Sequence, residues 1–296
     1  MDKTTDSGER LQRLVIDAGF TCPNRDGTLG RGGCTFCDNA AFHPAYSHPG
    51  KSIREQLDDG IAFHRARGRR ADGYLAYFQS FSNTYGPIEV LRDRYARALA
   101  HPAVKGIVIA TRPDCVDAEK LDLIASLEGT VILEIGIESC YDTTLARIHR
   151  GHTFADTVQA VRSSAERGID TRGHLILGLP GETREMLLGA CEKVNDLPLT
   201  GIKLHQLQIL KGTPMALEYE KHPEDFLMPD LPAYIELLAE MIGRFRADLR
   251  IDRVAAAVPP RFLAVSPWSG VRPDHIRALL EKRLAEKAGL TSPSPV

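Results

Sequence analysis

A parallel α/β fold of repeated strand–helix units is predicted, on three observations. Apolar runs rich in Val, Ile and Leu alternate six times with helical patterns. Unusual polar residues fall just after each apolar run, where a parallel sheet carries its chemistry. The pattern then changes after Pro214. Six such units suit either a partial barrel or a doubly wound sheet.

The strand candidates, in order, are 13–17, 74–78, 106–110, 131–137, 173–177 and 202–209. Their near-continuous apolar character fits strands covered on the outer face. Leu121, Ile124 and Leu127 recur at helical spacing after Asp117, a residue suited to capping a helix N-terminus. Phe154, Val158, Val161 and Ala165 do the same before Gly168, which supplies a C-terminal stop. Leu187, Cys191 and Val194 line one face of a third helix, so Cys191 reads as a small core residue. Beyond Pro214 a helix over 233–247, a strand-like stretch over 251–257 and a last helix over 274–287 are expected. The organisation predicted is a disordered segment 1–11, a core 12–216, an extension 217–290 packed on it, and a disordered tail 291–296.

The chain has 296 residues, 43% of them hydrophobic, and a net charge of -2. Such a balance does not suggest a dedicated nucleic-acid binder or a membrane-surface protein. No apolar run reaches the roughly 18 residues of a membrane span. The polar start MDKTTDSGER has no apolar leader, so a cytoplasmic address is expected. Arg65, Arg67, Arg69 and Arg70 form a basic run that reads first as a solvated helix end. Six cysteines at such an address do not argue for disulfides.

The polar segments are specific. The first strand is followed by GFTCPNRDGTLGRGGCTFCDN, the second by Gln79–Tyr85 and the third by Thr111-Arg112-Pro113-Asp114. The fourth carries Glu134, Gly136 and Glu138 at period two, so two carboxylates share one face. Unpaired buried carboxylates are costly, so that face is not a dry core. The fifth leads to Gly178-Leu179-Pro180-Gly181-Glu182 and the sixth to Lys211-Gly212-Thr213.

Cys22, Cys34 and Cys37 sit together in the first of these loops. Three thiols suit neither paired disulfides nor a four-ligand structural zinc, unless His43 or His48 supplies the fourth ligand. Free thiols in an exposed Gly-rich loop would oxidise. The remaining reading is a [4Fe–4S] cluster held by three thiolates, with one iron open to a small molecule. Glycines 27, 30, 32 and 33 give the backbone the freedom to wrap a bulky cluster. Phe36, beside the last thiol, is placed to shield it or to pack on a ligand ring.

These pieces resemble the radical S-adenosylmethionine (radical SAM) superfamily, its elongator-like branch, and within that the YhcC/YtqA-type family. The resemblance rests on AGFTCPNRDG, GGCTFCDN, YFQSFSNTY, ATRPDC, LEIGIES, HLILGLPGET and KLHQLQILKGTPM, in that order from about residue 12 to 216. A weaker echo is AVSPWSG, 264–270. Two departures from the wider superfamily stand out. The first inter-cysteine gap is long, and the common Gly-Gly-Glu after the second strand is replaced by the segment from Gln79 to Asn83.

The resemblance implies a partial (βα)6 radical SAM barrel with a small, mostly helical C-terminal extension. It implies a [4Fe–4S] cluster on Cys22, Cys34 and Cys37, with S-adenosylmethionine chelating the open iron. Reductive cleavage then gives a 5′-deoxyadenosyl radical that abstracts hydrogen from substrate. By motif position, Gln79 and Asn83 fall near the methionine end of SAM, Glu138 and Ser139 near its ribose, and Leu177 and Gly178 near adenine. Lys203, His205 and Gln208 are candidates to touch substrate. A reductant protein such as flavodoxin or ferredoxin is implied as electron donor. The elongator likeness suggests a modified wobble uridine of tRNA as substrate, with the Arg65–Arg70 run and Arg244, Arg246, Arg250 and Arg253 suited to phosphates. The rivals are a zinc-stabilised βα binding protein without radical chemistry and a metal-dependent hydrolase using Glu134 and Glu138.

Overall fold

A computed structural model describes residues 9–265, 268 and 270–289. The expected disordered ends lie outside these residues, except for 9–11, where the first strand already begins at Leu11. The strands are β1 (Leu11–Ile16), β2 (Gly73–Phe78), β3 (Val104–Thr111), β4 (Thr130–Glu138), β5 (Asp170–Leu177), β6 (Gly201–Gln206) and β7 (Arg250–Arg253). They form one sheet in sequential order, every neighbouring pair parallel. The sheet therefore has a seventh strand beyond the six expected. β7 comes from the stretch foreseen as strand-like in a mostly helical extension, and it pairs with β6. Four residues of alternating charge on a sheet edge carry little apolar signal.

The helices are α1 (Pro23–Asp26), α2 (Ile53–Arg65), α3 (Ile88–Leu99), α4 (Ala118–Ala125), α5 (Asp142–Arg147), α6 (Phe154–Ala165), α7 (Arg184–Asn195), α8 (Pro214–Lys221), α9 (Leu231–Arg244) and α10 (Pro273–Lys287). Their starts follow capping chemistry: Asp117 accepts from the Lys120 N–H, Thr183 from Met186, and Thr153 and Asp156 form a reciprocal capping box. Gly168 adopts φ +67°, the left-handed stop expected after α6. Strand six ends at Gln206, short of the expected 209, because Leu210 turns away to bridge Leu263.

Period-two alternation sorts the strands into two faces. Leu14, Ile16, Ala76, Phe78, Ile107, Ile109, Leu133, Ile135, Leu175, Leu177, Ile202 and Leu204 point outward and pack under the helices. Each such fully buried aliphatic side chain contributes on the order of 1.5–3 kcal/mol. On the inner face Leu11, Leu75, Val108 and Ile132 form a small apolar plug. One layer above it the inner residues become polar. There Arg13 of β1 reaches Glu134 of β4 at 2.5 Å. In a flat sheet those strands would stand about 14 Å apart, so the contact requires the sheet to curl into a half-barrel. The cysteine loop and the polar segments lie over the C-terminal rim of this curl.

Candidate radical SAM site

The cysteine loop is tied down by its own backbone. Cys22 caps α1, its carbonyl accepting from the Arg25 and Asp26 N–H groups. The Gly33 N–H donates to the Asn24 carbonyl, Thr35 to Ile148, and Met215 to the Thr35 carbonyl, so the loop is fastened to two other rim segments. The Asn24 amide donates to the carbonyls of His149 and Arg150 and lies 3.5 Å from Cys34 Sγ. Gly151 must be glycine: it has φ +75°, and a Cβ there would stand 2.7 Å from the Asn24 side chain. Cys22 and Cys34 are buried and Cys37 is half-buried. Arg25 donates to the Cys37 carbonyl at 3.0 Å and reaches its sulfur at 3.5 Å, while Arg150 lies 3.6 Å from Cys34 Sγ.

The three cysteines open onto a cavity of about 250 Å3 inside the curl. Phe36, Phe42 and Phe81 line its mouth; Tyr77, Glu134, His174, Lys203, His205 and Arg253 line its depth. Glu134 and Glu138 share its wall with Gly136, as the alternation implied. Gly136 leaves room for charge: a Cβ there would stand 2.5 Å from Arg150 and 2.7 Å from Glu138. Glu138 itself adopts φ +62°, a conformation rare for a side-chain-bearing residue and concentrated at functional sites.

The two carboxylates differ in environment. Glu134 accepts from Arg13 and Lys203, both at 2.5 Å, and from the Tyr77 hydroxyl at 2.9 Å. Burial alone would raise its pKa, but Lys203 and Arg13 hold it well below the usual carboxylate range. Glu138 has Arg150 at 3.2 Å and His174 at 3.5 Å. Burial raises its pKa despite the nearby arginines, and its Oε2 is buried without a hydrogen bond. Burial lowers the pKa of Lys203 to about 7 against the pull of Glu134. His174 and His205 are both held neutral by burial and nearby cations.

The sequence candidates divide. Cys22, Cys34, Cys37, Phe36, Gln79, Glu138, Lys203, His205 and Gln208 all line the cavity. Asn83, Ser139, Leu177 and Gly178 do not. Asn83 is fully buried, and its amide donates to the carbonyls of Phe78 and Ala110, pinning β2 to β3. The Ser139 hydroxyl turns away to donate to Glu182. Leu177 lies on the outer face, and Gly178 packs against the Leu227 carbonyl in a separate, small pocket. Ile176, the inward neighbour of Leu177, occupies the cavity wall instead.

Arg25, Tyr77, Arg112 and Arg150 also line the cavity and were not among the sequence candidates. An isolated arginine in a loop carries no periodic signal, although Arg112 stands in the polar segment that follows β3. Arg112 is 2% exposed; Asp114 occupies two of its nitrogens, and its Nη1 is buried without a partner.

Two features of the rival readings are engaged elsewhere. His43 Nε2 is 2.6 Å from the Ser80 hydroxyl, and His48 accepts from the Gly50 N–H. Glu134 is engaged by three donors, two of them from basic side chains that already pair with its charge, which makes it a poor ligand for a hydrolytic metal. The basic runs are dispersed. Residues 65–70 precede β2 and so lie at the opposite end of the barrel from the cavity mouth. Arg246 donates to the carbonyls of Val194, Asn195, Leu197 and Leu199, Arg244 pairs with Glu240 and Arg250 with Asp252, whereas Arg253 faces the cavity.

A parallel half-barrel with three loop cysteines above a polar cavity is the architecture of a radical SAM enzyme. The chain belongs to the radical SAM superfamily: that family's sequence pattern matches residues 22–194, and the radical SAM C-terminal domain matches 199–286. Members use a [4Fe–4S] cluster and S-adenosylmethionine, which are therefore this enzyme's cofactors. The chain is 37% identical over 270 residues to protein YtqA of Bacillus subtilis, covering 88% of this chain and 81% of that one. It is 38% identical over 272 residues to protein YhcC of Escherichia coli, covering 90% and 85%. A tRNA uridine(34) acetyltransferase of Dehalococcoides mccartyi is 26% identical over 186 residues, 60% of this chain and 39% of that protein.

Among solved structures, the elongator-type protein Elp3 of Methanocaldococcus infernus matches with TM-score 0.69 and 18% identity, over 95% of this chain and 64% of that one. Methylornithine synthase matches with TM-score 0.55 and 15% identity, over 96% and 83%. At such identities the likeness is one of fold. Among the described residues, no helix is long and apolar enough to cross a membrane.

Proposed function

We propose that Cys22, Cys34 and Cys37 hold the [4Fe–4S] cluster, and that the enzyme abstracts hydrogen from a substrate seated in the half-barrel cavity. The observation that carries this reading is the opening of all three cysteines of one tethered loop onto that cavity. Hydrogen-bond donors surround the sulfurs: Asn24 and Arg150 at Cys34, Arg25 at Cys37. Donors of this kind stabilise the negative charge of a thiolate-bound cluster. The orphaned Glu138 Oε2 and Arg112 Nη1 leave one acceptor and one donor for a ligand that is both anionic and hydroxylated, which suits S-adenosylmethionine. When bound, cluster and cofactor supply one-electron cleavage to a 5′-deoxyadenosyl radical.

The protein's own residues position and exclude. Gln79 is the candidate for the methionine end of the cofactor and Glu138 for a ribose hydroxyl. Phe36, Phe42 and Phe81 keep water from the mouth, which protects a carbon radical from side reactions. An electron donor protein is required, and Arg25 and Arg31 near the loop give an acidic donor a place to dock. The test is anaerobic: purified enzyme with S-adenosylmethionine and a chemical reductant should release 5′-deoxyadenosine, and none should form without reductant. Absence of the nucleoside from protein that carries a full cluster refutes the reading.

A tRNA uridine is the substrate that the acetyltransferase relatives and the elongator-type fold support. Cavity size limits entry to a single extruded base, not a duplex. Salt-sensitive retention of tRNA by the enzyme supports this substrate, and equal indifference at low and physiological salt counts against it.

A further inference from the structure

The cavity is lined by several arginines that differ in their partners. At the cluster end, Arg25, Arg112 and Arg150 face the thiols. Along the β6–β7 wall stands Arg253, carried by the last inner position of β7, opposite Lys203 in the pairing. Its neighbours are held rigidly. The Gln206 amide both donates to the Ala256 carbonyl and accepts from the Ala256 N–H, and the Tyr234 hydroxyl donates to the Val254 carbonyl. The strand end that presents Arg253 is thus fixed before any ligand arrives.

Arg253 is separated from the Glu138 carboxylate by His174, which stands 3.5 Å from Glu138. Among the described residues it makes no ion pair: Glu134 is taken by Arg13 and Lys203, and Asp252 by Arg172 and Arg250. Its one hydrogen bond is to His174 Nε2 at 3.0 Å, a neutral acceptor, and its Nε is buried with no partner. The guanidinium is half-buried, and its fork of unengaged N–H groups matches a carboxylate or phosphate. Gln208 lines the same wall, is 7% exposed, and its amide has no protein partner among the described residues. His205 holds its Nδ1 at the Gln206 carbonyl, which leaves Nε2 free to accept from a hydroxyl.

We propose that Arg253 and Gln208 form an anion clasp that grips a carboxylate or phosphate of the substrate on the β6–β7 wall of the cavity. The clasp rests on the reading of this cavity as the substrate site. It assigns the C-terminal extension a role in substrate choice, because β7 supplies the guanidinium. A phosphate points to a nucleotide substrate, a carboxylate to an organic acid or an acid-bearing base.

The experiment is calorimetric titration of the enzyme with inorganic phosphate and, separately, with malonate, at constant ionic strength. It is run on both cluster-loaded and metal-free protein, so that loss of the cluster and loss of the clasp are read independently. One of the two anions should bind saturably in both forms, and which one does so identifies the substrate's acid. R253Q should weaken that binding about 10- to 100-fold, and R253K less, since a lysine keeps the charge without the fork. The exposed-surface control R69Q should leave it unchanged. The proposal is overturned if neither anion saturates, if R253Q binds as the wild type does, or if R253Q raises the KM for S-adenosylmethionine in substrate-free cleavage. The last outcome would assign Arg253 to the cofactor carboxylate. Iron content and melting temperature of R253Q confirm that it is folded and loaded.

Discussion

Substituting Glu134 by Gln tests the charged layer beneath the cavity. In the native protein Glu134 pairs with both Arg13 and Lys203 at 2.5 Å, and it also accepts from Tyr77. E134Q keeps the side-chain shape but leaves the buried Arg13 guanidinium and the Lys203 amine facing an amide. Removing one partner of a buried pair costs about 3–5 kcal/mol; the partial exposure of Arg13 places the value near the lower end. Each kcal/mol moves the melting temperature of a large domain by roughly 2–4 °C, so a drop on the order of 6–12 °C is expected by calorimetry. Adding K203M removes the stranded amine and should restore part of the loss.

The pH dependence of the E134Q effect follows from sign. Folding lowers the Glu134 pKa below its ordinary 4.5, so its contribution is present above that pH and disappears as pH falls through the lower folded value. The gap between wild type and E134Q should therefore close in acid. A cost under about 1 kcal/mol, or a double variant less stable than E134Q, would refute the account of this layer.

Other consequences are direct. A Cβ on Gly106 would stand 2.0 Å from the Thr130 carbonyl oxygen, backbone against backbone, so G106A should lose about 3 kcal/mol or more and express poorly; wild-type stability would contradict the β3–β4 packing. Burial raises Glu182 to about 7, so the fold favours its protonated form. Its contribution is fully present below the ordinary 4.5 and lost as pH rises through about 7. E182Q, which keeps an acceptor for Ser139, should raise the melting temperature at pH 8 but not at pH 4, and equal effects at both would exclude the assignment. G136A should displace Arg150 from Glu138 and from the Gly136 carbonyl, weakening cofactor affinity several-fold; unchanged KM for S-adenosylmethionine would contradict that role.

Much of the architecture was written in local patterns. The covered strands were legible because short apolar runs of Val, Ile and Leu must be shielded on both faces and are too brief for buried helices. Asp117 and Gly168 marked helix ends by chemistry that depends on neighbours in sequence. β7 was harder to place in the sheet, because Arg250–Arg253 gains its position from pairing with β6 rather than from its own hydrophobicity. The site shows the same division. Glu134 and Glu138 sharing a face follows from strand geometry. What Glu134 touches depends on Arg13 and Lys203, 121 and 69 residues away, brought together by the curl of the sheet. Motif position put Leu177 near the cofactor, whereas alternation in β5 turns Leu177 outward and Ile176 inward. Arg150 and Arg253 carry no local signal; only tertiary placement distinguishes them from surface arginines.

The most direct test of the central claim is iron and acid-labile sulfide content, with the visible absorbance of the thiolate-bound cluster, for anaerobically purified wild type and for C22A, C34A and C37A. The account predicts about four irons and four sulfides per wild-type chain, with cluster content and 5′-deoxyadenosine release collapsing in each variant while the fold persists. A colourless wild-type protein holding one zinc, or a variant that keeps both its cluster and its nucleoside release, would contradict it.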